Sequence, residues 1–546
     1  MGRVKAVVWV LLAAIFLLFV WVWFFASPKP TVAKRSLKAP LPIVYSDHTE
    51  AFEEAGITAY EGAASCVNCH EDEAKDVFHS YHYQMQNVVA DVVDHVPAPA
   101  GGKLAYNDFC GAIFWDGRVN VNYIGKALLK APPPGKEDLK GSFIASGCSM
   151  CHGVSMGAIP QPAEEPSQEA LANIDCLTCH ADPAILPTGA KGVKVGVKVP
   201  VKDESGQWRY IYNSDLNFKD LAAKIVAKPV KDQCLLCHAF SGGGPGFKRP
   251  NLDPSLIGEV AEGVDVHLAR GMECTDCHVF EHHEVALRGP DSWARTDLVE
   301  APKCADCHEE RHTKPVIGWI IERFHMEKVA CQTCHITHFA KKVPTDIHRN
   351  WSKAEFSAKL KRWEPEIALA KDLKPSYRWW NEEGRIAYLY PEPAKVEDGK
   401  IAYLMPAAEE AKRAGLLKFE TDGKIYPFKH HEAVVPFDPE RRIPIPVKVG
   451  LVFATGDTKK AAQVGAKLAN LNFTGEYVKL ERLMAINHGV EPADKAKQCF
   501  DCHGPVLRDM PWHELGYGNY PEIIFSIFLL LGLIVAVALL YWLIRR

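Results

Sequence analysis

Residues 274–335 read CTDCHVFEHHEVALRGPDSWARTDLVEAPKCADCHEERHTKPVIGWIIERFHMEKVACQTCH. Three Cys-x-x-Cys-His motifs fall in this one stretch: Cys274, Cys277 and His278; Cys304, Cys307 and His308; Cys331, Cys334 and His335. Working outward, five more appear. They are Cys66, Cys69 and His70; Cys148, Cys151 and His152; Cys176, Cys179 and His180; Cys234, Cys237 and His238; and Cys499, Cys502 and His503. The motif is the signature of c-type haem attachment. Two thiols add to the vinyl groups of the porphyrin, and the adjacent histidine supplies one axial nitrogen to iron. At this composition, chance gives about 0.02 such motifs against the eight present. Zinc ribbons also pair CxxC motifs, but zinc does not require a histidine after every second cysteine. The reading is eight covalent haems, with every proximal ligand a histidine. Of the 17 cysteines only Cys110 lies outside a motif, so it has no free partner for an intrachain disulfide.

The 546 residues carry a formal net charge of -4, to which haem propionates would add further negative charge. No basic run suggests a nucleic-acid partner. Two uncharged apolar segments frame the chain, at 6–26 and 523–544. About 20 apolar residues span a bilayer core. Arg3 and Lys5 before the first, and Arg545 and Arg546 after the second, favour a cytoplasmic location for both ends. A haem domain outside the cytoplasmic membrane follows, on its periplasmic side. The alternative for the first segment is a cleaved signal peptide. Neither segment has a histidine or an ionisable chain for haem ligation or proton transfer, so both read as anchors.

The expected organisation is an N-terminal transmembrane anchor over 4–26, a Pro-rich linker over 27–60, an octahaem domain over 61–515 and a transmembrane helix over 522–544. The expected fold class is mainly α with much irregular structure. The short spacing of motifs over 60–340 leaves room for little sheet. YRWWNEEGRIAYLY suggests a small β-hairpin near 376–404. Helices are expected near 353–370, 405–415 and 457–470.

Fifteen histidines lie outside the motifs, enough to supply second axial ligands. His282 follows His278 by four residues, and His312 follows His308 by four. On a continuous helix such pairs share one face, so neither is suited to the opposite side of its own ring. Each is expected to reach a neighbouring haem, locking the haems into a wire.

The chain resembles the octahaem tetrathionate reductase family over most of 60–505. The resemblance rests on the order of the motifs, on His82-Tyr83, and on an NxFC-like element at Asn107, Asp108, Phe109 and Cys110. It rests also on DVHLARGMECTDCH, FHMEKVACQTCHI, PSYRWWNEEGRIAYL, YPFKHH and INHGVEPADKAKQCFDCH. It implies distal histidines at His82, His267, His283 (or His282), His312, His325, His431 and His488, seven for eight irons. It further implies that the haem on Cys176 and Cys179 lacks a distal histidine, with Asn107 and Cys110 beside it. The family places a lysine there, soon after the motif. This chain has none before Lys191, followed by Lys194 and Lys198, so either a later lysine swings in or the iron is open. Cys110 reads as an active-site thiol or as a small buried residue. Asp182 reads as a proton donor or a helix cap.

Two functions remain. One is a reductase whose exchangeable haem acts on a sulfur or nitrogen oxyanion such as tetrathionate, nitrite or hydroxylamine. The other is a non-catalytic conduit between a quinol-oxidising membrane partner and periplasmic or extracellular electron acceptors.

Overall fold

A computed structural model describes residues 43–84, 165–186, 208–285, 303–309, 311–313, 317–360, 362–381, 423–468, 471–503, 509–518 and 520–545. Short pieces between them are also described, among them 92–93, 106–107, 109, 112–113, 154, 198–202, 204, 315, 384–385, 396–397, 400–402, 405–406, 412–413 and 419–420. The N-terminal apolar segment, Cys110, the motif Cys148–His152, Lys191 and Lys194 lie outside the described residues.

Each described motif folds as one tight turn. The amide of the motif histidine donates to the carbonyl of the first cysteine in His70, His180, His278 and His308, at 2.8–3.1 Å. In a helical turn, positions i, i+3 and i+4 share a face. Both thiols and the imidazole therefore point the same way, as a single porphyrin requires. The helices that carry motifs or flank them are α1 (Thr49–Glu54), α2 (Glu71–His79), α3 (Leu177–His180), α4 (Lys231–His238), α5 (Cys304–Cys307), α6 (Ile317–Phe324) and α7 (Cys331–His335). Further on come α8 (Thr458–Leu468), α9 (Cys499–His503) and α10 (Tyr520–Ile544). Where the motif reads Cys-x-Asp-Cys, the aspartate caps its own turn. The carboxylates of Asp276, Asp306 and Asp501 accept from the amides of Glu273, Lys303 and Gln498 at 2.7–2.8 Å. This is half of a capping box.

Among the described residues up to 340, strands occur only as short two-residue to five-residue pieces. Beyond 340 the chain is dominated by sheet, which corrects the mainly α expectation. Five of its strands are β1 (Thr345–Ser357), β2 (Arg362–Ala370), β3 (Ser376–Trp380), β4 (Lys424–Asp438) and β5 (Tyr477–Ala485), part of an eight-stranded sheet. β1 pairs antiparallel with β2, and runs parallel to β4 from His348 opposite Glu432 to Asn350 opposite Val434. β5 pairs antiparallel with β4 along its other edge.

The helix expected near 353–370 is therefore a β-hairpin. Pro365 sits inside β2, opposite Ala354 at a register shift. A proline there would break a helix interior but is tolerated at a bulge. Within 376–404 a small hairpin pairs Val396–Glu397 with Lys400–Ala402, not the YRWW segment with the residues that follow it. β3 pairs instead with the start of β4, Ser376 opposite Phe428 through Trp380 opposite Lys424. Gly384–Arg385 pairs with Met405–Pro406 and Val92–Val93. The described parts of 405–415 are the strands Met405–Pro406 and Lys412–Arg413, not helix. The third expected helix is present as α8.

The sheet braces the motifs that flank it. Tyr377 and Trp379 pack with Ile425, Met510, Trp512 and Leu515, against Cys502 of α9. Trp380, Tyr426, Phe428 and Leu483 pack on Ala330, the residue before α7. The indole N–H groups are satisfied: Trp379 donates to the Leu515 carbonyl at 3.0 Å, and Trp512 to the Cys502 carbonyl at 2.9 Å. The other end of the chain is braced too. Tyr45–Ser46 pairs with Ile225–Val226, and α1 follows it, so the expected linker over 27–60 is ordered structure from residue 43. The Pro-rich composition that suggested a linker ends at Pro42.

α10 runs for 25 residues and exposes Leu529, Leu530, Leu533, Val537, Leu540 and Leu543. Counted over the described residues, no helix is long and apolar enough to cross a membrane.

A buried network holds α3 in place. Tyr60 donates to Asp175 at 2.8 Å, and Asp175 also accepts from Thr178 at 2.5 Å. The Leu177 amide donates back to the Tyr60 hydroxyl at 3.2 Å. Tyr60→Phe leaves these buried groups short of a partner. The expected loss is about 1–3 kcal/mol, read as a lower denaturant midpoint with unchanged haem content. An unchanged midpoint contradicts the role given to Tyr60.

Candidate haem-ligand sites

Seven motif histidines lie among the described residues, and each faces one other imidazole. The ring centres are separated by 6.1 Å for His70 and His48, 6.4 Å for His180 and His283, and 6.2 Å for His238 and His82. They are separated by 6.2 Å for His278 and His488, 6.0 Å for His308 and His267, 6.4 Å for His335 and His312, and 6.0 Å for His503 and His325. Two imidazoles bound to opposite sides of one metal, each nitrogen about 2 Å from it, put their ring centres roughly 6 Å apart. What sets these pairs apart is that each of the seven motif histidines has another imidazole at this separation. The constancy of the gap fits an iron between each pair.

Hydrogen bonds at Nδ1 agree with that fit. His180 Nδ1 lies 2.8 Å from the Val226 carbonyl, and His48 Nδ1 lies 2.7 Å from the Ser46 carbonyl. His312 Nδ1 lies 2.8 Å from Glu322 Oε1. Donation from Nδ1 fixes the tautomer and leaves the Nε2 lone pair for a metal. Burial favours the same neutral form. It pushes the imidazoles of His82, His180, His267, His283, His325 and His335 below their usual range, and that of His503 down to about 4.

The chain also solves the geometric problem of the i+4 histidines. It leaves the helical turn at once: His282, His283 and His312 have φ of 47°, 61° and 49°. This left-handed backbone is costly for a residue with a Cβ. It swings His283 to His180 and His312 to His335, each serving a motif other than the one it follows. His282 instead stays exposed, 3.4 Å from Asp76, which resolves the pair in favour of His283.

Motifs are drawn together at their thiols as well. Cys66 lies beside Cys176, Cys234 beside Cys274, and Cys304 beside Cys331. The sites are thus neighbours in space, linked both by sulfur contacts and by borrowed histidines.

One expectation is corrected, one is not met among the described residues, and one histidine was missed. The His180 site does not lack an opposing histidine, because His283 supplies one. His431 faces none of the seven described motif histidines. Its ring lies fully buried on Phe109, with Nε2 3.4 Å from Asp346. His48 was missed, because it sat in the segment assigned to the linker; the helix start at SDHTE was the available signal. The motif not placed among the described pairs is Cys148–His152. Val154, just beyond it, is fixed by hydrogen bonds to the His82 carbonyl and the Asp175 amide.

Of the expected catalytic residues, Asp182 is buried and structural. It accepts from Tyr45 at 2.7 Å and from the Ala184 amide at 2.8 Å. That is the capping alternative, applied to a turn. Lys198 lies in a strand whose backbone pairs with Tyr212, and Asn107 in one paired with Ala112. Phe109, the neighbour of Cys110, is held by β1, β4 and β5. Its carbonyl accepts from Arg349, and its ring lies 5.3–5.4 Å from the charged groups of Arg349, Lys429 and Arg482. Lys429 is fully buried and donates to the Phe247 and Lys248 carbonyls and to Thr345. Asp346 completes the cluster with a 2.7 Å ion pair to Arg349. Burial pushes its carboxyl up, but Arg349 and His431 outweigh this and hold it below the usual range.

Removing one imaged partner should open one iron. His48→Ala and His283→Ala are each expected to create one additional high-spin haem that binds one extra cyanide per chain. Cyanide binding unchanged from wild type in His283→Ala would mean that the His180 iron has no bond to His283.

Comparison with known proteins bears on the class of the chain. The family described as bacterial cytochrome c matches residues 344–506, and the family of cytochrome c7 and related cytochrome c matches 260–336. An uncharacterised protein of Archaeoglobus fulgidus is 48% identical over 252 residues, covering 46% of this chain and 83% of that one. The crystal structure of an octaheme cytochrome c from Shewanella oneidensis superposes with a TM-score of 0.55 at 23% identity, covering 90% of this chain and 97% of the other. The repeated CxxCH motifs, the opposed imidazoles and these matches support a multihaem c-type cytochrome.

Proposed function

We propose that this chain binds eight haems and conducts electrons along them, outside a membrane to which its apolar ends tether it. The observation that carries this reading is the set of seven imidazole pairs. An iron with two histidines is coordinatively full and passes electrons without binding substrate. Seven such irons, with histidines exchanged between motifs, form a wire rather than a set of separate reaction centres. The octaheme character of the Shewanella structure supports the count of eight.

The iron of the remaining motif, bound at Cys148, Cys151 and His152, is the place for an exchangeable ligand. The other seven motif histidines each face a second imidazole. Reductase chemistry on a sulfur or nitrogen oxyanion belongs at this iron, not at the His180 iron. The bound haem supplies the Lewis acid and the electrons. Cys110 and Asn107 are the side chains proposed beside it. An anion suits that neighbourhood, because Phe109 lies among Arg349, Lys429 and Arg482.

α10 and the apolar segment over 6–26 are the proposed anchors. They place the chain beside a quinol-oxidising membrane partner, with periplasmic carriers as further electron partners.

The test is a chain lacking this haem, Cys148→Ala with Cys151→Ala. It is expected to retain seven haems that dithionite reduces, and to lose nitrite or cyanide binding and oxyanion reduction by at least 100-fold. Undiminished ligand binding would move the reactive iron elsewhere. A wild-type protein that binds no exogenous ligand would leave a conduit alone.

A further inference from the structure

On the face of β4 opposite to His431 lies a second cluster that the haem sites do not use. Successive residues of a strand point to opposite faces. His431 and Arg482 point inward, so His430, Glu432 and Glu481 point outward. Ligand atoms of these three all lie within 4.8 Å of one another. His430 Nε2 is 3.7 Å from Glu481 Oε1. A fourth residue adjoins them from the next strand: His348, aligned with Glu432 across β1 and β4, has Nδ1 3.9 Å from Glu432 Oε2. These separations exceed hydrogen-bond length. The arrangement draws on three neighbouring strands at once.

We infer that His430, Glu432 and Glu481, with His348 beside them, form a binding site for a divalent transition metal of the zinc type. Two observations point to a cation. First, Glu432 and Glu481 are register partners across β4 and β5. Like charges directly opposite one another destabilise a sheet, and a cation shared by the two carboxylates would add to the compensation that their other partners give. Second, imidazoles stand on the carboxylate pair from both β4 and β1. Mixed nitrogen and oxygen donors suit zinc and its neighbours, whereas calcium and magnesium take oxygen donors throughout. In a tetrahedral site with metal–ligand distances of about 2 Å, donors sit roughly 3.3 Å apart. Small rotations of these partly exposed side chains close the difference. The side chains are 23–43% exposed, so the site is open to solvent for loading. The metal would stitch β1, β4 and β5 together directly over the buried Phe109 cluster.

The test uses the full holoprotein, dialysed against EDTA and then against micromolar zinc chloride. Haem iron is held by the porphyrin and survives the chelator. Wild type is expected to retain one more zinc per chain than either His430→Ala or Glu481→Gln, and to melt at a higher temperature with zinc than without. His348→Ala should weaken retention about tenfold. Each variant should keep the wild-type haem spectrum, since the residues lie outside the haem pairs. Equal zinc in wild type and variants overturns the site. So does calcium displacing zinc at equal concentration, or zinc that leaves the melting temperature unchanged.

Discussion

The constraint on which the structure depends is that seven motif histidines must each face a second imidazole across a gap that an iron would fill. The CxxCH turn supplies one imidazole of each pair locally and cannot supply the other. A histidine on the same turn faces the same way as the first. The second imidazole must come from elsewhere in the chain, and its source decides the packing. His283 ties the fifth motif to the third, His312 ties the sixth to the seventh, and His82 ties the first to the fourth. His488 reaches back from beside the eighth motif to the fifth. Cross-ligation thus does for this chain what a continuous apolar core does for an ordinary domain. The left-handed backbone at His283 and His312 is the local strain that this demand imposes.

The rest of the architecture serves to hold those turns still. The aspartate inside Cys-x-Asp-Cys caps three of them. The Tyr60–Asp175–Thr178 network fixes a fourth. The sheet beyond residue 340 gives the last two motifs a rigid backing of tryptophan and tyrosine. Its buried polar layer of Arg349, Lys429, Arg482, His431 and Asp346 is costly to desolvate, since each isolated charge carries a penalty of several kcal/mol. Such a layer persists where its members satisfy one another and backbone carbonyls. Here Arg349 reaches Asp346 and the Phe109 carbonyl, and Lys429 reaches two carbonyls and a hydroxyl.

The haem chemistry was legible in the sequence, because a covalent motif is a local pattern that needs no knowledge of the fold. Six of the seven histidines that face a motif histidine were also named from residues and resemblance. The pairing itself was not legible, because it depends on chain crossings that no local pattern reports. That is why the His180 iron was read as open. His48 escaped because composition was allowed to extend a linker past Pro42. The β-sheet was missed for another reason. KAEFSAKLKRWEPEIALA is rich in helix-forming residues, but its conformation is set by pairing with distant strands. Pro365 was the one local clue against a helix. His431 was named from the resemblance, and its strand position lays it on Phe109, opposite none of the seven described motif histidines.

The central claim is the number of irons held between two imidazoles. Near-infrared magnetic circular dichroism of the oxidised holoprotein measures it directly, since bis-histidine haem has its own charge-transfer band. The account predicts intensity for seven bis-histidine irons per chain and a different signature for the eighth. Intensity for six or fewer would contradict the pairing of His48 with His70 or of His283 with His180, and with it the wire.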